Sequence, residues 1–343
     1  MILRSCAAAA VAVAVATPAM AELTHRLLGW DALQGWSAEH HAEALEVFLE
    51  TCGDRDEPAW RAVCADAAES RGRARAFFEE RFVPVLTSDG NPALLTAYYE
   101  PELDGSPVRT GRFAHAIYRL PSEVKPGAVW HSRAEIEERG LLEGRGLEIA
   151  WLSDPVEAFF LQVQGSGRIR LSDGRAIRVG FGGRNGHPYR SIGAELVRQG
   201  VFERHEVSAQ RIKRWVRDNP EAGAALLRHN PSFIFFREVN EVPADRGPLG
   251  AMNRSVTALR SVAVDPEIVP LGAPVWIEKG GREPMNRLMV AQDTGSAIKG
   301  AQRADIFFGT GAVAGERAGL VRDPGRVVVF LPHDIARRLA TGN

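Results

Sequence analysis

The sequence predicts a mainly β chain with substantial helix, an α+β protein of two domains preceded by a helical segment. Three observations carry this. Residues 37–82 repeat apolar positions at helical spacing, short apolar segments alternate with Gly, Pro and Asp from residue 84 onward, and residues 248–332 hold only strand-like segments. Length agrees, because 343 residues with 45% hydrophobic side chains can fill two ordinary cores and exclude wholesale disorder. With 42 Lys+Arg against 43 Asp+Glu the formal charge is −1, which lacks the basic excess of a nucleic-acid binder.

Met1-Ile2-Leu3-Arg4 makes a short positive start, followed by an unbroken Ala/Val run from Ala7 to Ala16, a break at Thr17-Pro18, and Ala19-Met20-Ala21. This is the pattern of a signal peptide over residues 1–21, cleaved after Ala21, and it implies a periplasmic chain. The apolar run is too short for a transmembrane segment, and no later stretch approaches the length required. Cys6 precedes that run instead of following it, which argues against a lipid anchor. Cys52 and Cys64 remain as a disulfide candidate in an exported chain.

Residues 22–92 form the expected helical segment. One helix runs from Ser37 to Glu50 with Leu45, Val47 and Phe48 on its apolar stripe, and a second from Glu57 to Phe82 with Trp60, Val63, Phe77 and Phe78. His40 and His41 read as solvated surface, since adjacent helical positions point apart. Within 93–247, strands are expected at Leu94–Glu100, Ala114–Tyr118, Leu147–Leu152, Ala158–Gln164, Arg168–Leu171, Ala176–Gly180 and Phe233–Arg237. Ser172-Asp173-Gly174 makes a hairpin turn. Ser132 and Glu135 form a capping box on a helix that Gly140 stops, and Ser191, Ser208 and Asn219-Pro220 open three more helices. Residues 248–332 supply strands at Ser261–Val264, Pro274–Glu278, Leu288–Gln292, Ala304–Phe308 and Arg326–Leu331. Regular hairpin turns do not dominate there, which favours a compact crossed barrel, and 333–343 reads as a tail.

Three segments concentrate polar side chains in apolar surroundings. Tyr98-Tyr99-Glu100 ends a strand and could offer a stacking surface for sugar rings. Gln162 and Gln164, on one face of the expected strand beside Gly165-Ser166-Gly167, suit hydrogen bonding to hydroxyls or acetamides. Asp293 and Asp305 flank a loop through Gly295 and Lys299, and burial beside Ile306, Phe307 and Phe308 would raise a carboxyl toward general-acid use. A turn-capping role is the alternative for both aspartates. There is no Gly-x-Ser-x-Gly elbow or His-Glu-x-x-His pair, and the histidines are scattered, so neither metal nor cofactor is expected.

At Ala97-Tyr98-Tyr99-Glu100-Pro101, Gln162-Val163-Gln164-Gly165-Ser166-Gly167, Asn230-Pro231-Ser232-Phe233 and Asp293-Thr294-Gly295-Ser296-Ala297-Ile298-Lys299-Gly300 with Asp305, the sequence resembles the membrane-bound lytic murein transglycosylase A (MltA) family. The resemblance spans roughly residues 90–332. It implies a β-rich family-specific domain over 93–247 and a smaller double-psi β-barrel over 248–332, separated by a groove. The barrel would carry Asp265, Asp293 and Asp305. It further implies a peptidoglycan lytic exotransglycosylase, a non-hydrolytic lyase acting between N-acetylmuramic acid and N-acetylglucosamine to leave 1,6-anhydro ends. Asp305 would be the single acid/base and Asp293 its support. Tyr98, Tyr99, Glu100, Gln162, Gln164, Ser166, Asp265 and Lys299 would bind glycan strands. A non-catalytic peptidoglycan-binding protein and a hydrolytic muramidase are the alternatives. The leader lacks a lipobox, and Gly295-Ser296 stands where the family has Gly-Gly.

Overall fold

The chain was described by a computed structural model over residues 23–243 and 245–341. The expected signal peptide and Cys6 lie outside them. β1 (Thr24–Leu27) precedes α1 (His41–Cys52), α2 (Pro58–Ala67) and α3 (Ala74–Arg81), then β2 (Phe82–Ser88) and β3 (Leu94–Glu100). The middle supplies β4 (Glu102–Ser106), β5 (His115–Tyr118), α4 (Arg133–Glu138), β6 (Glu148–Leu152), α5 (Pro155–Gln164), β7 (Gly167–Leu171) and β8 (Ala176–Arg184). It continues with α6 (Ile192–Arg198), α7 (Ala209–Asp218), α8 (Pro220–His229) and β9 (Ile234–Glu238). The last part holds β10 (Ser261–Val264), β11 (Pro274–Lys279), β12 (Met285–Thr294), β13 (Arg303–Thr310), α9 (Ala312–Ala318), β14 (Arg322–Asp323), β15 (Gly325–Pro332) and α10 (His333–Thr341).

These strands form two sheets, one of nine strands in the order β1-β2-β15-β11-β12-β10-β13-β3-β14 and one of six in the order β5-β6-β4-β7-β8-β9. The larger approaches a barrel, and the expected α+β class with two domains holds. Its crossed character comes from two parallel joins, β10 to β12 and β13 to β3, within otherwise antiparallel neighbours. The chain therefore begins in the large sheet, leaves for the six-stranded one and returns. β3, with which the expected middle domain opens, pairs with β13 and so belongs to the large sheet. That pairing joins residues 209 positions apart, which local texture cannot reveal.

The N-terminal helices close one side of this sheet with aromatic side chains. Trp60, Phe48, Phe77, Phe78 and Phe82 are fully buried and share a core with Trp276 and Phe330. Each such burial contributes about 1.5–3 kcal/mol. Cys52 and Cys64 are bridged, tying the end of α1 to α2. His41 is buried and packs edge-on against Trp36, not solvated as its spacing suggested. The single helix expected over 57–82 is α2, a 3-10 turn at Ala68–Arg73 and α3, with Phe82 already in β2. The expected tail is α10, anchored by buried Ala336.

One element changes type. Ala158–Gln164 is not a strand but most of α5. The Asp154 carboxylate accepts from Val156 N–H at 2.8 Å, Pro155 occupies the first turn, and Gly165 at φ 80° terminates it. A short apolar run fits either period, so the caps outside it decide.

Candidate active site

The pairing of β12, β10, β13, β3 and β14 builds the site. Ala263 pairs with Asp293 on one side and with Asp305 on the other. Asp305 pairs with Thr96, and Thr96 with Arg322. Asp293, Ala263, Asp305, Thr96 and Arg322 therefore form one row across five strands, and residues of one row share a face. Two strand spacings separate the aspartate backbones, roughly 10 Å. The short side chain of Ala263 lies between them. Alternation sends Ala304, Ile306 and Phe308 to the opposite face, where they join the main core.

Both carboxylates keep some accessible surface while the fold surrounds them otherwise. Asp305 accepts from the Thr96 hydroxyl. Burial pushes the Asp305 carboxyl above its ordinary range, and the Thr96 hydrogen bond and the Arg303 charge oppose that rise without cancelling it. Asp293 accepts from the Tyr98 hydroxyl at 2.7 Å, Ala251 N–H at 3.0 Å and Thr294 N–H at 2.9 Å. Burial nevertheless pushes Asp293 up to about 6, with a small addition from the Asp305 charge. Burial and both carboxylates hold the Tyr98 phenol well above its usual range, so it stays a protonated donor. The Tyr98 ring packs on Phe307 with centroids 5.2 Å apart. Hydroxyl, ring and two acids thus share one surface.

The other expected site residues stand behind this surface or beside it. Tyr99 points the opposite way, against Gly315 of α9; a Cβ there would meet its ring at 2.6 Å. Its backbone N–H donates to Gln164 Oε1 at 3.0 Å, which joins α5 to β3. Asp265 is buried and accepts from Gly300 N–H and Lys299 Nζ, each at 3.0 Å. Burial works against its charge, but these donors and Glu267 N–H outweigh it and hold Asp265 below its ordinary range. Lys299 also reaches Glu267 at 3.1 Å, so the pair pins the loop that follows Asp293.

Besides Asp265, three more residues expected to meet substrate are buried. Glu100 is 0% exposed, held by Arg178 at 2.8 Å, Arg168 at 2.9 Å and Thr310 at 2.8 Å, and it locks the end of β3 to the smaller sheet. Gln162 accepts from Arg133 at 2.6 Å and Ile234 N–H at 3.1 Å inside the middle domain. Ser166 is also buried. The paired-amide surface is corrected here: its geometry required a strand, whereas in the helix the two amides reach different partners. Sequence reasoning missed Thr96, Arg303, Ala263 and Arg322. Period-2 alternation from Tyr98 would have placed Thr96 on its face, but nothing local pairs it with Asp305.

Among the described residues no group of His, Cys, Asp and Glu is arranged to hold a metal ion. The MltA-specific insert domain matches residues 94–237 and the 3D domain matches residues 260–331. A membrane-bound lytic murein transglycosylase A from Escherichia coli is 38% identical over 245 residues, 68% of this chain and 64% of the relative. The alignment thus spans less than two thirds of that curated relative. A membrane-bound lytic murein transglycosylase from Agrobacterium tumefaciens is 31% identical, with TM-score 0.78 over 92% of this chain and 99% of the other. Escherichia coli MltA with bound chitohexaose matches at 31% identity and TM-score 0.71, covering 88% and 91% of the two chains.

Proposed function

Since the chain belongs to the lytic murein transglycosylase A family, we propose that it cleaves the β-1,4 bond between N-acetylmuramic acid and N-acetylglucosamine in peptidoglycan without water. The observation that carries this reading is Asp305, a carboxyl with raised proton affinity that shares one face of the sheet with Ala263, Tyr98 and Asp293. Protonated Asp305 donates to the glycosidic oxygen as the bond to the anomeric carbon breaks. The resulting carboxylate accepts the proton of the muramoyl 6-hydroxyl as that oxygen closes on the anomeric carbon, which gives a 1,6-anhydro end and regenerates the acid. One carboxyl serves both steps, so the paired carboxylates of most glycoside hydrolases are not needed. Tyr98 and the loop held by Asp265 and Lys299 keep Asp293 in place as electrostatic support. The leader over residues 1–21 puts the enzyme in the periplasm, and among the described residues no helix is long and apolar enough to cross a membrane.

A hydrolytic muramidase is the second reading. Asp293, at about 6 and roughly 10 Å from Asp305 along the backbone row, resembles the base of an inverting pair. Its oxygens already accept three hydrogen bonds, which favours the supporting role. Digestion of sacculi followed by mass spectrometry separates the two, since hydrolytic ends are one water heavier than anhydro ends. Asp305→Asn should lower turnover by roughly a hundredfold to ten-thousandfold while chitohexaose binding persists. Full activity of that variant removes Asp305 from the acid/base role.

A further inference from the structure

Arg322 ends the row that contains both acids and no established part of the mechanism uses it. It lies on the two-residue edge strand β14, opposite Thr96, which in turn pairs with Asp305. Its neighbour Asp323 points the other way and is locked by Lys279 at 2.6 Å, a lysine whose side chain is 1% exposed. This buried pair fixes the edge strand, so alternation leaves Arg322 on the face of the acids. Arg322 is exposed and has no ion-pair partner among the described residues. Arg303 sits on the same face two residues before Asp305, its Nη1 donating to Leu94 O at 3.2 Å and Ala304 O at 2.7 Å. Two guanidinium groups thus border one end of the row, the inner bound to the backbone and the outer free.

An uncharged sugar backbone gives a free arginine nothing to neutralise. The muramoyl residue does, because its 3-O-lactyl branch ends in a carboxyl group, either free or amide-linked to a peptide with carboxylates of its own. That branch leaves C3 of the same ring whose C1 carries the scissile bond, and Arg322 lies two strand spacings from Asp305, roughly 10 Å. We propose that Arg322 recognises a carboxylate carried by the 3-O branch of the muramoyl residue and so selects muramoyl-containing strands over plain N-acetylglucosamine polymers. The inference rests on the transglycosylase reading and deepens it by naming the charged part of the substrate.

The test compares wild type, Arg322→Gln and Arg322→Lys on three ligands: peptide-bearing glycan strands, strands stripped of peptide that keep free lactyl carboxylates, and chitohexaose, which has neither. Arg322→Gln should lose about fivefold in kcat/KM on carboxylate-bearing strands, about 1 kcal/mol, mainly through KM and with weaker salt dependence. Arg322→Lys should recover most of it, and calorimetric affinity for chitohexaose should not change. A loss confined to peptide-bearing strands assigns the contact to the peptide, and an equal loss on stripped strands assigns it to the lactyl group. Wild-type rates on both charged substrates, or a parallel fall in chitohexaose affinity, overturn the proposal. Strand binding measured in the Asp305→Asn background gives the same comparison without turnover. A failure of wild type to release anhydro products therefore counts against the enzyme reading and leaves this one to its own measurement.

Discussion

Thr96→Val tests the acid assignment through a residue that is not itself the acid. Valine keeps the β-branched shape suited to a strand and removes only the hydroxyl that donates to Asp305. A hydrogen bond to a charged group is worth about 1.5–3 kcal/mol, or about one to two pKa units. That donor favours the carboxylate, so losing it raises an acid that burial has already raised. The Arg303 charge still opposes the rise. Asp305 must start protonated, and the alkaline limb of kcat/KM reports its loss of that proton in the free enzyme. Initial rates of sacculus solubilisation across the neutral range should therefore show this limb moving to higher pH by about one unit or more. A folded variant whose limb stays in place, or moves to lower pH, refutes the pairing of Thr96 with the titrating acid.

Glu100→Gln should leave Arg168 and Arg178 without their buried counter-charge and cost about 3 kcal/mol or more, read as a fall in midpoint by chemical denaturation. An unchanged midpoint removes Glu100 as the clamp between the sheets. Reduction, or the Cys52→Ser and Cys64→Ser double variant, should cost about 3 kcal/mol for the short loop closed, measured by the same titration. Asp293→Asn tests the raised acid at about 6. The native state holds this proton more tightly than the unfolded chain at 3.8, so wild type is unpenalised below the lower value and loses stability as pH rises toward the upper one. Asparagine carries no such penalty, so its stability relative to wild type should improve between pH 4 and 7 by up to about 3 kcal/mol. A difference independent of pH contradicts the raised acid.

The candidate site was legible in its residues and only partly in its geometry. Asp293, Asp305 and Tyr98 were readable because polar groups ending apolar strands are costly and invite a reason. Their opposition across Ala263 was not, since it depends on a parallel join of β10 with β12 and an antiparallel one with β13. Asn230 shows the same limit from the other side. It belongs to a motif that carries the family resemblance, and in the fold its side chain accepts from the Arg190 and Ser232 N–H groups, tying backbone of the middle segment together. Helix starts were recovered at Ser132, Ser191 and Ser208, whose side chains cap the first turn, but not at Ser37, which lies in a 3-10 turn while α1 starts at His41 without a side-chain cap. They were lost at α5, where Asp154 and Gly165 outweigh a segment whose period decides nothing. The consequence is chemical. Reading Gln162 and Gln164 as one strand face made them a sugar-binding surface, whereas in α5 one secures Arg133 and the other holds β3, the strand that delivers Thr96 and Tyr98. Of the two amides only Gln164 holds the strand that carries Thr96 and Tyr98, so its expected effect on the substrate is indirect. That predicts a graded fall in kcat for Gln164→Ala, with chitohexaose affinity nearly kept, and a large affinity loss in calorimetry would restore the direct contact.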